Sequence, residues 1–158
     1  GRLMLRKPTM RSCTPYGIMQ LLEAYELQAR GKNAVIIGVS NIVGRPLALE
    51  LLLAGATTIS CHRHTKNIEQ YVRTADIVVS ATGKRDVFDQ SSIAPHAVVI
   101  DVGIHRINNK ICGDLDFEYL NNRVAYLTPV PGGVGPMTIT ALLQNTLDAA
   151  LKNEHTHQ

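Results

Sequence analysis

The sequence predicts an α/β fold, a mostly parallel, twisted sheet with helices on both faces. Three observations carry that expectation. Short β-branched runs alternate with segments of helical spacing along most of the chain. Several of these runs are apolar at every position, as strands covered on both sides of a parallel sheet are. Glycine-rich turns at Gly38, Gly83 and Gly132-Gly133 each follow a strand, and such turns gather at the carboxyl edge of a parallel sheet, where ligands bind.

At 158 residues the chain is about one domain long, enough to bury a substantial core. A net charge of +3, dispersed and without basic–aromatic clusters, gives no argument for nucleic acid. No stretch reaches the roughly 18 apolar residues of a membrane span, and no signal peptide is visible, so the expected location is cytoplasmic. Cys13, Cys61 and Cys112 are an odd number without metal-type spacing, which suits a reducing compartment and three buried, small apolar side chains. The chain opens at Gly1, and its first dozen residues, GRLMLRKPTMRS, show no periodicity. Residues 1–13 are therefore expected to be an incoming linker, 14–152 the domain, and 153–158 a polar, frayed tail.

Thr14-Pro15 signals a helix start, with Thr at the cap and Pro in the first helical position. Ile18, Leu21, Leu22 and Tyr25 share one face, and Gly31 closes the segment. Ala34–Ile37 is the first strand. Pro46–Ala54 is a helix ended by Gly55, and Thr57–His62 is a second strand. Asn67–Thr74 is a short helix, Asp76–Gly83 a third strand with its turn, and Ser91–Pro95 a brief connection. Ala97–Gly103 is a fourth strand; Asp101 within it reads as a carboxylate capped by nearby backbone N–H groups in preference to a catalytic acid. Asn108-Asn109 turns a hairpin into Lys110–Gly113, Asp116–Asn121 is a short helix, and Val124–Val130 a fifth strand. Pro129–Thr138 holds three prolines and three glycines in ten residues, a stiff loop suited to a binding surface. The last helix, Met137 to about Lys152, is expected to turn Ile139, Leu142, Leu143, Leu147 and Ala150 inward.

The stretch Ala34–Pro46, AVIIGVSNIVGRP, organises the rest. A strand, a glycine turn and a helix N-terminus present backbone N–H groups and the positive end of a helix dipole to an anion. This reads as the phosphate cradle of a dinucleotide in a Rossmann-like fold, although the usual G-x-G-x-x-G is here G-x-S-x-x-x-G, with Ser40 in the place of the second glycine after Gly38. An NAD site carries Asp or Glu about 20 residues past the turn, to accept from the ribose 2′-hydroxyl. Here that place holds Cys61-His62-Arg63-His64-Thr65-Lys66, without a carboxylate. Positive charge and donors suit a 2′-phosphate, so the expected cofactor is NADP, with Arg63 its bidentate partner. His62 and His64 lack an acidic neighbour and read as structural or surface residues in preference to metal ligands.

Four blocks in order extend the argument: Gly38-Val-Ser-Asn-Ile-Val-Gly-Arg-Pro46, Cys61-His62, Val99-Ile-Asp-Val-Gly-Ile104 and Thr128-Pro-Val-Pro-Gly-Gly-Val-Gly-Pro-Met-Thr138. With them the chain resembles the bifunctional methylenetetrahydrofolate dehydrogenase/cyclohydrolase family, from Gly1 almost to its end. The resemblance implies oxidation of 5,10-methylenetetrahydrofolate to 5,10-methenyltetrahydrofolate, then hydrolysis to 10-formyltetrahydrofolate, in the one-carbon metabolism that serves purine biosynthesis. It implies that Gly38, Val39 and Ser40 cradle phosphate, that Val39 replaces a frequent Arg or Ala, and that Arg63 stands where many members have Ser. It places Ile104 against the nicotinamide, and Pro131, Gly135 and Thr138 near folate and nicotinamide; His105 replaces a common Asn. It implies a homodimer, and a folate-binding N-terminal domain that carries the Lys of a Tyr/Lys pair and is missing from this sequence. No residue of the chain is then catalytic, and the fragment alone is expected to be inactive. A silent nucleotide-binding or dimerising module fits the same residues. An unrelated Rossmann reductase fits the glycine turn, but not the PGGVGPMT block.

Overall fold

A computed structural model describes the backbone of residues 1–156 and the side chains of residues 1–152. In chain order the elements are α1 (Cys13–Ala24), β1 (Asn33–Ile37), α2 (Gly44–Leu53), β2 (Thr57–Cys61), α3 (Ile68–Val72), β3 (Ile77–Ser80), β4 (Val98–Asp101), β5 (His105–Ile107), β6 (Lys110–Cys112), α4 (Phe117–Leu120), β7 (Tyr126–Leu127) and α5 (Val134–Thr156). Five strands form a parallel sheet in the order β2-β1-β3-β4-β7, and β5 and β6 form a separate antiparallel hairpin.

Period-two geometry divides each central strand between two cores. Ala34 and Ile36 of β1, with Ile77 and Val79 of β3, face Ile18 and Leu22 of α1, Leu47 and Leu51 of α2, and Val134 of α5. Val35, Ile37, Val78 and Val99 face the other way, onto Ile68, Val72, Phe88, Leu115 and Leu120. The fully apolar strands thus have helices on both faces, as the sequence predicts.

The chain runs from β1 outward to β2, then returns to place β3 on the other side of β1. This reversal makes a crevice at the carboxyl ends of β1 and β3. Strands stop where side chains take over their backbone donors. β3 ends where the N–H groups of Thr82 and Gly83 donate to Asp114, and β4 ends where that of Gly103 donates to Asp101. Both strands are therefore shorter than the spans Asp76–Gly83 and Ala97–Gly103 that the sequence suggests. β7 is only two residues long, because Pro129 and Pro131 have no N–H to continue a ladder.

Other boundaries differ for local reasons. α1 begins at Cys13 after Ser12, with no side-chain cap from Thr14, and ends at Ala24 well before Gly31. Glu26 turns the chain with φ 57°, so a non-glycine residue ends that helix, and Gly31 instead shapes the entry to β1. Tyr25 is 63% exposed, outside the buried face. α5 begins at Val134, with Gly135 and Pro136 in its first turn, where Pro costs no helical hydrogen bond. Its backbone is helical to Thr156; the side chains of 153–158, where a polar, frayed tail is expected, lie outside the described residues.

The largest departure concerns the face of α5. Ile139, Leu142, Leu143 and Leu147 are 63%, 54%, 66% and 53% exposed, and Ala150 is exposed too. The buried face carries Val134, Ala141 and Asn145 instead. α5 crosses α1 so closely that a Cβ on Gly17 would lie 2.7 Å from the Met137 carbonyl oxygen. That approach selects the small-residue side of α5 for burial and turns its leucines outward.

Residues 11–13 are fixed to the domain. Arg11 donates to both carboxylate oxygens of Glu50 on α2, at 2.7 and 2.5 Å, and its guanidinium lies 4.1 Å from the Tyr16 ring centroid. Of the cysteines only Cys61 is buried, which pushes its thiol pKa up; Cys13 and Cys112 are half-buried, and the Cys112 sulfur accepts from Arg85.

Candidate functional site

The turn after β1 is built by close approach. Gly38 has φ 111°, and a Cβ there would lie 2.2 Å from the Ala81 carbonyl oxygen. A Cβ on Gly44 would lie 1.9 Å from the Gly38 carbonyl oxygen, so the first turn of α2 rests directly on the loop. Only glycine fits at either place. Ser40 explains the departure from the usual fingerprint. Its Oγ accepts from the N–H groups of Val43 and Gly44, at 3.2 and 3.4 Å, and so caps the helix from within the turn.

This turn is one wall of a cleft of about 700 Å³, lined among others by Gly38, Val39, Ser40, His62, Arg63, His64, Thr82 and Lys84. Four of the five residues expected to hold a cofactor therefore meet in one place. No carboxylate lines the cleft among the described residues. Arg63 is exposed and donates from Nε to His64 Nε2 at 3.0 Å. His62 shapes the turn beyond β2: its N–H donates to Thr65 Oγ1 at 3.0 Å, and its Nδ1 accepts from the His64 N–H at 3.2 Å. Among the described residues no cluster of three His, Cys, Asp or Glu is arranged to hold a metal.

The fifth residue, Ile104, lies in a neighbouring recess of about 420 Å³ with Pro131, Gly135 and Thr138, all three of the residues expected at the substrate. Ile104 is 70% exposed. Nothing lies within 4 Å of where a Gly135 Cβ would stand, so that position is open. Thr138 Oγ1 lies 3.0 Å from Thr14 Oγ1, which ties the loop's helix to α1. Both recesses sit at the carboxyl edge of the sheet.

Sequence reasoning missed the group that joins them. Asp114 is 1% exposed. Its Oδ2 accepts from the Thr82 N–H at 2.8 Å, Thr82 Oγ1 at 2.9 Å, and Ser80 Oγ and the Gly83 N–H at 3.2 Å. Its Oδ1 lies 2.8 Å from His105 Nε2. His105 thus ties the base of the hairpin, beside Ile104, to the carboxylate that holds the cleft's far wall. Asp101 is capped as expected, by the N–H groups of Gly103, Asp114 and Leu115 at 2.8 to 3.0 Å. Burial still raises its pKa, with the Asp114 charge adding to that and the three N–H donors opposing it. Buried and held by three backbone N–H donors, Asp101 serves the scaffold.

A five-stranded parallel sheet, with a glycine turn at its reversal point and an acid-free, cationic cleft above it, defines an NAD(P)-binding domain of the Rossmann type. The donor set and the glycine-only contacts of the turn fit such a cofactor. The chain belongs to the tetrahydrofolate dehydrogenase/cyclohydrolase NAD(P)-binding domain family, whose model matches residues 12–154. It is 55% identical over 150 residues to the bifunctional protein FolD of Methylobacillus flagellatus, covering 94% of this chain and 52% of that protein. The bifunctional 5,10-methylenetetrahydrofolate dehydrogenase/cyclohydrolase of Thermoplasma acidophilum superposes with a TM-score of 0.92 at 37% identity, over 98% of this chain and 56% of that one. The FolD of Trypanosoma brucei, solved with NADP cofactor and inhibitor, gives a TM-score of 0.86 at 38% identity, over 94% and 54%. The chain spans about half the length of the curated relatives it matches. Among the described residues no helix is long and apolar enough to cross a membrane.

Proposed function

We propose that this chain is the NADP-binding half of a bifunctional folate enzyme that oxidises 5,10-methylenetetrahydrofolate and hydrolyses the 5,10-methenyl product to 10-formyltetrahydrofolate. The observation that carries the reading is that two recesses lie at one sheet edge: the cationic cleft above Gly38, and the apolar one that gathers Ile104, Pro131, Gly135 and Thr138. The nicotinamide, when bound, supplies the hydride acceptor. The chain's own residues bind and orient. Gly38, Val39 and Ser40 shape the phosphate turn, Arg63 takes the 2′-phosphate, and Ile104 offers an apolar surface for the nicotinamide ring. Pro131, Gly135 and Thr138 form one wall for the pterin.

The other wall, with the general acid/base, belongs to a folate-binding domain. The outward leucines of α5 suit the packing of such a domain, because a row of large apolar side chains at this exposure is costly in water. Positioning of reactants is worth about 7–11 kcal/mol of barrier, so half a cleft gives background rates. The test is NADPH formation from methylenetetrahydrofolate, first with the 158-residue chain and then with a folate domain fused to its N-terminus. The expected result is background for the first and turnover for the second. Turnover by the chain alone would place the catalytic groups within it, and an inactive fusion would favour a silent nucleotide-binding module.

A further inference from the structure

The loop after β3 holds a second cation at the cofactor cleft, and the sheet order decides which part of a dinucleotide it meets. Thr82 and Lys84 line the cleft next to the phosphate turn. The loop is fixed. Thr82 Oγ1 lies 2.7 Å from the Lys84 carbonyl oxygen and accepts the Lys84 N–H at 3.1 Å, while Asp114 holds the N–H groups of Thr82 and Gly83. The Lys84 side chain is exposed, and no carboxylate pairs with it among the described residues. The Gly38 turn follows the middle strand of β2-β1-β3, so Arg63 flanks it on the β2 side and Lys84 on the β3 side. The approach on the β3 side is tight: a Gly38 Cβ would stand 2.2 Å from the Ala81 carbonyl oxygen and 3.2 Å from the Thr82 nitrogen.

We infer that Lys84 is the side-chain cation for the pyrophosphate, set beside the Gly38 turn and away from the 2′-phosphate that Arg63 reads. The inference rests on the cofactor reading above. It assigns the two cations different work. Arg63 tells NADP from NAD, whereas Lys84 raises affinity for both, because the pyrophosphate is common to them. An ammonium suits this place: it is a point charge that needs no bidentate geometry, and the backbone of the turn supplies directional donors.

The experiment is calorimetric titration of NADP and NAD into the 158-residue chain, Lys84→Gln, Lys84→Arg and Arg63→Ala, with a melting curve for each. Lys84 is exposed, so its variants should melt with the unaltered chain. Lys84→Gln should weaken both cofactors by roughly tenfold, the loss expected of one charged contact. Lys84→Arg should keep most of the affinity, and Arg63→Ala should weaken NADP alone. The inference is overturned if Lys84→Gln binds both cofactors as the unaltered chain does, or loses NADP only. If the unaltered chain binds neither cofactor, the reading of the cleft falls first and this assignment with it.

Discussion

The Asp101 carboxylate accepts the backbone N–H of Asp114 at 3.0 Å, and each aspartate packs against a glycine beside the other. A Cβ on Gly113 would stand 2.0 Å from Asp101 Oδ2, and one on Gly103 would stand 2.1 Å from Asp114 Oδ1. Two buried carboxylates thus lock the ends of β3 and β4 to the hairpin. Asp114→Ala strands the Thr82 and Gly83 N–H groups at the cleft wall. It should cost about 2–3 kcal/mol in urea unfolding, the desolvation penalty of unsatisfied buried groups, and weaken cofactor binding as well. Asp114→Asn keeps an acceptor oxygen and should retain most of both. Equal losses in the two variants would show that shape, not hydrogen bonding, holds the wall.

Gly38 has a duty in the fold apart from the phosphate turn proposed for it. Its φ of 111° and its approach to Ala81 make any side chain a fault in the sheet itself. Gly38→Val should destabilise the chain by about 3 kcal/mol or more, from backbone strain and the clash together. Thermal melting without cofactor reads this directly. A variant as stable as the unaltered chain would mean that the turn relaxes without cost.

The Arg11–Glu50 pair predicts an asymmetry. Glu50 is 4% exposed, whereas the Arg11 side chain is 29% exposed. Arg11→Ala leaves a buried carboxylate without its partner and should cost about 3–5 kcal/mol. Glu50→Ala leaves a guanidinium that can reach water and should cost less, about 2 kcal/mol. Denaturant midpoints of the two variants decide the order, and the reverse order would contradict this account of the pair.

Asp76 supplies a pH-dependent contact far from the cleft. Its pKa is lowered chiefly by the Asn33 N–H, which donates to Oδ2 at 2.8 Å, and then by Lys32. A depressed carboxyl adds stability that is fully present above its unfolded pKa of about 3.9 and is lost as pH falls through the lower folded value. Asp76→Asn should therefore cost about 1 kcal/mol at neutral pH, the low end for a partly exposed charged hydrogen bond. The cost should vanish in acid below the aspartate range. A cost that persists there would assign it to packing.

The strands were legible because Ala34–Ile37 and Ala97–Ile100 are apolar at every position and mostly β-branched, as a doubly covered strand requires. That Gly38 and Arg63 line one cleft was legible from a strand–turn–helix and from a missing carboxylate. The orientation of α5 was not. Ile139, Leu142, Leu143 and Leu147 repeat at helical spacing, but periodicity shows only that a helix has an apolar face, not what covers it. Asp114 was invisible for another reason. It lies 32 positions from Thr82, and no local pattern marks a carboxylate that will serve so distant a turn. Nothing local marks Glu50 for burial either, because its partner Arg11 comes from an aperiodic segment 39 positions away.

The central claim is that the cleft above Gly38 takes NADP in preference to NAD through Arg63. The most direct measurement is the ratio of the two dissociation constants, for the unaltered chain and for Arg63→Ala, in the same low-salt buffer. One bidentate charged contact is worth about 1.5–3 kcal/mol, so NADP should bind at least tenfold more tightly to the unaltered chain, and the advantage should disappear in the variant. Equal affinities in the unaltered chain, or an advantage that survives the loss of Arg63, would contradict the account.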